Sequence, residues 1–127
     1  MLVVIDTNVL VSSLWSKSGT PAKILDLVSN GRIKPCFDSR ILLEYKNVLS
    51  RPRLKFSSAE VSALMGLIEA FGISVIPSPV EIPFTDEDDK KFYEVAKHCD
   101  AKLITGNLKH FPDDPAIMSP ADFLNIM

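Results

Sequence analysis

Short, continuously apolar runs recur along the chain between more polar segments. Residues 2–5 read Leu-Val-Val-Ile and contain no polar position. Such a run is typical of a strand that is buried on both faces of a parallel sheet. Comparable short runs predict three further strands, at residues 34–37, 73–76 and 102–105.

Helical periodicity fills most of the segments between these strands. After Asp38, a predicted N-cap, apolar residues recur at spacings of three, four and seven and form one face: Ile41, Leu42, Tyr45, Val48 and Leu49. Start signals predict the other helices, among them Thr20 as an N-cap with Pro21 at the first helical position, and the Ser57–Glu60 capping box. We place them at residues 9–15, 20–30, 57–72 and 86–99, and from Ser119 onward.

The order of these elements predicts the fold class. Strand and helix alternate, which favours an α/β three-layer sandwich with a mainly parallel central sheet of four to five strands. The length of 127 residues suits a single domain over residues 1–127. In such folds ligands bind beyond the carboxyl ends of the strands, which draws attention to Asp6 and to residues 105–107.

Composition narrows the class of protein. A net charge of −2 excludes a generic polycation that binds nucleic acid by bulk charge, and 46% hydrophobic residues exclude an acidic disordered tail. Cys36 and Cys99 are too sparse for a disulfide framework, so we expect reduced thiols in a cytoplasmic protein. No stretch approaches the roughly 20 apolar residues of a membrane span, and the first apolar run is too short for a signal peptide.

Helix capping and solvation do not fully explain the positions of three acidic residues. Asp6 directly follows a predicted buried strand, where it is either a helix cap or a ligand. Glu44 lies at the edge of an apolar helix face, and a solvated boundary glutamate is an equally good interpretation. In the run Asp86-Glu-Asp-Asp89, favourable charges at a helix start explain Asp86 and Glu87, but Asp89 falls on the face that should be buried.

Separated acids of this kind favour a site for a hard cation. Mg²⁺ and Mn²⁺ take oxygen ligands, usually a few carboxylates with waters and substrate phosphate oxygens. Clustered carboxylates raise one another's pKa unless a metal lies between them. Spacing along the sequence alone does not bring the three acids together in space.

Five segments resemble the motifs of PIN-domain nucleases, in order and over essentially the whole chain. The segments are Val4-Ile-Asp-Thr-Asn8, Glu44, Asp89-Lys-Lys-Phe92 with Glu94-Val-Ala, Leu103-Ile-Thr-Gly-Asn107, and Lys109-His110-Phe111. The resemblance implies a Mg²⁺- or Mn²⁺-dependent endoribonuclease that cleaves RNA phosphodiester bonds, as the toxin of a type II toxin–antitoxin pair. It implies three partners, namely RNA, a cognate antitoxin and a second copy of the chain in a homodimer.

The resemblance also implies residue roles. Asp6, Glu44 and Asp89 would be the catalytic metal ligands, and Thr7, Asn8 and Thr105 would orient carboxylates or water. The chain departs from the family at Asn107, where many members have aspartate. Asparagine offers a carbonyl oxygen without charge, so we expect one firmly held ion, with Asn107 as a neutral ligand.

Because Asn107 lacks the charge of the usual aspartate, we also consider a second function. In this alternative the protein is a non-catalytic or weakly catalytic PIN-like module that binds RNA or a partner. A third alternative comes from Ile5-Asp6-Thr7-Asn8, which superficially resembles the aspartyl nucleophile of haloacid-dehalogenase-type phosphatases. Those enzymes need a second acid two residues later, where this chain has Asn8.

Charge along the chain indicates where RNA would bind. Residues 32–55 hold seven basic and two acidic residues, a net of +5, although an ordinary solvated surface explains most of them equally well. Arg40, one helical turn from Glu44, is the best single substrate contact, and Lys109 and His110 are the others. For Trp15 we favour a place in the core over a subunit contact.

Overall fold

Five parallel strands form the centre of the protein in this computed structural model, which describes all of residues 1–127. The strands are β1 (Leu2–Ile5), β2 (Lys34–Phe37), β3 (Ile73–Ser74), β4 (Lys102–Ile104) and β5 (Ile117–Met118). Their spatial order is β3-β2-β1-β4-β5, so β1 is central. Val3, Val4 and Ile5 are fully buried, which confirms the interpretation of the first apolar run as an interior strand.

Six helices cover the sheet. They are α1 (Thr7–Trp15), α2 (Thr20–Ser29), α3 (Ser39–Leu49), α4 (Ser58–Phe71), α5 (Lys90–Cys99) and α6 (Pro120–Asn125). Helix α5 packs against β1, β2 and β4, whereas α2 packs against α1, α4 and α6. The connection from β3 to β4 runs back across the sheet, and right-handed crossovers therefore place α5 on the opposite face from α1 to α4. The predicted α/β sandwich is confirmed.

The helix boundaries follow local hydrogen bonds that the sequence signals anticipated in part. Asp38 caps α3, because its Oδ1 accepts a hydrogen bond of 3.0 Å from the Ile41 amide. Ser57 and Glu60 form the capping box of α4, with both bonds at 3.0 Å. Thr20 is the first residue of α2 and Gly19 is its N-cap, so the expected Thr20 cap is wrong.

Two short segments differ from the sequence-based expectation. Residues Glu87–Asp89 form a 3-10 turn, and α5 begins only at Lys90, because the Asp86 side chain accepts a hydrogen bond of 2.9 Å from the Asp88 amide and closes a tighter turn. Strand β3 has two residues instead of four. Prolines at 77 and 79 follow it, and they cannot donate to a sheet ladder.

The core occupies both faces of the sheet, and Trp15 lies outside it. In α4, Val61, Leu64 and Ile68 are buried. Trp15 has 64% of its surface exposed, so the expectation that it belongs to the core is wrong. The cause is its place at the carboxyl end of α1, beyond the last buried turn of that helix.

The sheet order fixes where a site can form. From β1 the chain moves to β2 on one side, whereas β4 lies on the other side, so the direction of winding switches between β1 and β4. Open α/β sheets bind ligands in the crevice at such a switch, beyond the carboxyl ends of the strands. Asp6 and Thr105 follow the two strands there. None of the six helices combines the length and the apolar character that a membrane crossing requires.

Candidate active site

A chain of hydrogen bonds joins the ends of β1 and β4. The Asp6 amide donates to the Ile104 carbonyl at 2.9 Å, which continues the ladder between the strands. The Thr105 hydroxyl donates to Asp6 Oδ2 at 2.7 Å and accepts from the Asn107 amide at 3.0 Å. Thr105 is fully buried, so its hydroxyl holds the Asp6 carboxylate in one orientation. Asn8 contributes a longer contact, 3.5 Å from its Oδ1 to the Gly106 amide.

The Asp6 carboxyl is buried, and its charged form is destabilised. Only 6% of the residue is exposed, and burial raises its pKa to about 6 from the ordinary 3.8. The Thr105 hydrogen bond partly opposes this rise, whereas repulsion by the carboxylates of Asp89 and Glu44 adds to it. Asp6 therefore senses both of the other acids that the sequence singled out.

Glu44 is held by two side chains. The Thr7 hydroxyl donates to its Oε2, and Lys91 Nζ forms an ion pair of 2.7 Å with its Oε1. The Lys91 side chain is only 12% exposed, so this pair is well shielded from water. Lys91 could not be recognised from the sequence, because its ion pair joins α3 to α5 and has no signal in local spacing.

Asp89 presents a buried carboxylate oxygen whose only neighbouring polar group is His110. Its Oδ2 is buried, and the only group beside it is His110 Nδ1 at 3.1 Å, which forms an ion pair with it when the imidazole is protonated. Burial raises the pKa of Asp89, the nearby His110 lowers it, and repulsion from Asp86 and Glu44 raises it further. A partly buried carboxylate with a single, half-exposed histidine beside it is costly to ionise, and a divalent cation would stabilise its charged form.

Asp6 and Asp89 line one open cleft of about 330 Å³, together with Thr7, Asn8, Asn107, His110, Trp15, Arg51 and Arg53. Glu44 lines the neighbouring cleft, which shares Val48 and Arg51 with the first. The structure thus brings most of the predicted site residues to one edge of the sheet. Glu44 is joined to that group by the hydrogen bond from Thr7, although its side chain lines the adjoining cleft.

The donor set of the first cleft fits a divalent cation. Two partly buried carboxylates and an amide oxygen are ligands that Mg²⁺ and Mn²⁺ accept, with waters completing the shell. The observation that favours a cation there is the mutual repulsion of Asp6 and Asp89, with only the His110 imidazole beside the buried Oδ2 of Asp89. As the side chains stand, no three His, Cys, Asp or Glu residues in the chain are arranged to hold one ion. The assignment of Asp6, Glu44, Asp89 and Asn107 as ligands therefore stays a prediction.

Two of the three expected substrate contacts lie away from this cleft. Arg40 lines the adjoining cleft of Glu44, and its guanidinium group is paired with Asp38 at 2.7 Å and with Glu94 at 2.9 Å. Lys109 lines a separate hollow next to Pro112. His110 alone lines the acid cleft. The proposed RNA contacts of Arg40 and Lys109 stay predictions and gain no support from their positions.

Comparison with known proteins identifies the family of this chain. Residues 2–109 match the PIN domain. The chain belongs to the PIN-domain family. Over 109 residues this PIN-domain protein is also 38% identical to an uncharacterized protein of Methanocaldococcus jannaschii, an alignment that covers 83% of this chain and 70% of the relative.

Membership in the family confirms the resemblance of the sequence motifs. The matched segment includes Asp6, Glu44, Asp89 and Asn107. The fold is thus of the nuclease type, and PIN domains typically use divalent metal ions. The haloacid-dehalogenase alternative is wrong, since the chain belongs to a different family.

Proposed function

We propose that this protein is a Mg²⁺- or Mn²⁺-dependent endoribonuclease that cleaves RNA phosphodiester bonds. The observation that carries the proposal is that the buried Asp6 and the partly buried Asp89, whose charges repel each other, line one cleft in which only His110 pairs with Asp89 Oδ2. Burial and repulsion between carboxylates raise the pKa of both carboxyl groups, and a cation between them would stabilise their charged forms. Membership in the PIN-domain family supports the reaction class.

Each site residue then has a specific task. Asp6 and Asp89 would hold the ion, with Glu44 as the third carboxylate ligand that the family resemblance implies and Asn107 as a neutral oxygen donor. Thr105 keeps the Asp6 carboxylate oriented through its 2.7 Å hydrogen bond. Thr7 and Lys91 keep Glu44 in place beside the cleft. A divalent ion, when bound, supplies a water nucleophile at neutral pH and screens the charge of the phosphodiester.

Cleavage of a labelled RNA by purified protein tests this proposal. We expect shortening of the RNA with Mg²⁺ or Mn²⁺, and its loss on addition of EDTA. Asp89→Asn should lower the rate by at least about 100-fold, since even outer partners of metal ligands typically cost 10- to 100-fold. Asp88→Asn is the matched control, because Asp88 is exposed and does not line the cleft of Asp6 and Asp89. Cleavage that survives both EDTA and Asp89→Asn would contradict the proposal.

A second candidate function is an RNA- or partner-binding module with little or no turnover. Two observations favour it: Asn107 stands where many family members have an acid, and Lys91 already neutralises Glu44. Protein that retards RNA in a gel but never shortens it, with any divalent metal tested, would support this function. The absence of heat on Mn²⁺ titration would support it further.

The biological setting that we propose is a cytoplasmic toxin of a type II toxin–antitoxin pair. A restraining antitoxin would have to cover the acid cleft, and homodimerisation is expected from the same resemblance. Co-expression with the product of the neighbouring open reading frame should yield a complex that suppresses RNA cleavage. Failure to form a complex would count against the toxin role and leave the nuclease proposal intact.

A further inference from the structure

Trp15 is an exposed aromatic residue beside the acid cleft. It is the single tryptophan of the chain and has 64% of its surface exposed. Its indole packs at 55° against Phe56, with 6.2 Å between the ring centroids. Phe56 thus supports the indole while much of the ring stays open to solvent, and the residue lines the cleft that contains Asp6 and Asp89.

Two free cations lie at the same cleft. Arg51 and Arg53, in the turn after α3, are exposed and line it. Neither forms an ion pair, although Asp6, Asp86 and Asp89 line the same cleft. Arg40, by contrast, is bound to two carboxylates. The guanidinium groups of Arg51 and Arg53 therefore remain available to an anionic ligand.

We propose that Trp15, Arg51 and Arg53 form a nucleobase subsite of the acid cleft, in which one unpaired base of an RNA strand stacks on the indole and the arginines contact the flanking phosphates. This inference rests on the proposed ribonuclease function and adds the recognition of a base next to the cleaved bond.

A single RNA strand has the chemistry that this surface requires. It carries a flat aromatic group and an anionic group in every nucleotide, which suit an indole flanked by guanidinium groups. The bases of a duplex are stacked on one another and do not present their faces to a side chain. The subsite therefore selects unpaired segments of RNA, whatever their sequence, because every base has a π-face.

Fluorescence of the single tryptophan tests the subsite without requiring cleavage. Titration with a uridine octamer in the presence of Mg²⁺ should quench Trp15, whereas a blunt RNA duplex should quench it much less. With a labelled octamer, Trp15→Ala should weaken binding about tenfold, and Trp15→Phe should retain most of the affinity. Phe71→Ala, which removes an exposed aromatic residue at the end of α4, is the matched control and should leave the affinity unchanged.

The two arginines are tested by the salt dependence of binding. Arg51→Gln and Arg53→Gln should each reduce the slope of log affinity against log salt by about 0.7. Lys23→Gln is the control, since Lys23 is an exposed cation on α2 that does not line the cleft. Its slope should equal that of the wild-type protein.

The outcomes separate this inference from the proposed function. If the wild-type protein cleaves RNA and Trp15→Ala binds and cleaves it equally well, the subsite is wrong and the nuclease proposal stands. If the octamer quenches Trp15 and Trp15→Ala loses affinity, but no metal supports cleavage, the subsite stands and the nuclease proposal fails. If RNA leaves the fluorescence unchanged, the subsite is wrong, and a protein partner is then the occupant to test at this surface.

Discussion

The ionisation of Asp6 links the site to the stability of the protein. Its folded-state pKa of about 6 lies above the ordinary 3.8, so the folded protein binds this proton more tightly than the unfolded chain does. The contribution of Asp6 is therefore most favourable below about pH 4 and is lost as the pH rises through about 6. A shift of this size corresponds to roughly 3 kcal/mol.

We expect Asp6→Asn to remove this dependence. In EDTA, the variant should gain stability relative to the wild-type protein as the pH rises from 4 to 7. Urea denaturation at a series of pH values measures the difference in the free energy of unfolding between the two proteins. A difference that stays constant with pH would mean that Asp6 ionises normally in the folded state.

The Thr105 hydroxyl joins Asp6 to Asn107, because it donates to Asp6 Oδ2 and accepts from the Asn107 amide. Thr105→Val keeps the shape of the side chain but leaves Asp6 Oδ2 and the Asn107 amide without this partner. We expect a loss of about 1–3 kcal/mol in unfolding free energy, together with slower RNA cleavage. Thr105→Ser restores the hydroxyl and should recover most of both properties. Chemical denaturation and a cleavage assay on the same samples give the comparison, and wild-type values for Thr105→Val would contradict this role.

At the residue scale, the sequence predicted the acids better than their partners. Asp6 and Thr105 were recognisable because each directly follows a buried strand. Lys91 was not, because its ion pair with Glu44 joins residues 47 positions apart. Trp15 was misassigned because a large aromatic residue at a helix end has the same local pattern whether that end is covered or open.

At the scale of elements, the Glu94 side chain links α5 to α3 and to the proline-rich connection that follows β3. The residue is 5% exposed, and its carboxylate accepts from Arg40 at 2.9 Å and from the Val80 amide at 2.8 Å. Since this linkage holds α5, it also steadies Lys91 and Asp89 at the start of that helix. Glu94 is thus a structural residue for the site, without contact to the cleft of Asp6 and Asp89.

We expect Glu94→Ala to lower the unfolding free energy by about 2 kcal/mol, because a buried amide loses its acceptor and the ion pair is lost. Glu94→Gln keeps an acceptor for the Val80 amide and should cost less. Arg40→Ala should cost less than about 1 kcal/mol, since the Arg40 side chain is half exposed. Urea denaturation of the three variants should rank them in that order of severity, and equal losses for all three would contradict it.

Elements with a clear period or cap were predictable, and elements made by tertiary contact were not. The apolar face and cap of α3 and the capping box of α4 were recognised within a residue or two. Strand β5 was missed, because Ile117 and Met118 are too few to show a period and become a strand only by pairing with Leu103 and Ile104 of β4. The 3-10 turn before α5 was missed because its acids also suit the first turn of an α-helix.

At the scale of the whole molecule, the net charge of −2 conceals two opposed regions. Residues 32–55 carry +5, and residues 81–100 carry seven acids against three lysines, a net of −4. A bound divalent ion adds +2 beside the acidic region, which brings the total to about zero. RNA binding should therefore depend on the metal.

We expect tighter binding of a labelled RNA with Mg²⁺ or Mn²⁺ than with EDTA at matched ionic strength. The gain should be much smaller in Asp89→Asn, which removes a carboxylate of the proposed metal site, and should persist in Asp88→Asn. Fluorescence anisotropy provides the affinities. Equal affinity with and without divalent metal would show that the acids do not control access of RNA to the cleft.

The central claim is that Asp6 and Asp89 hold a divalent cation at the carboxyl edge of the sheet. Anomalous diffraction from a crystal soaked in Mn²⁺ tests it most directly, because the signal locates the ion independently of the protein atoms. We expect one strong peak within coordination distance of both carboxylates, and no such peak in Asp89→Asn. Full soaking with no peak at these carboxylates, or a peak only at other acids, would contradict the claim.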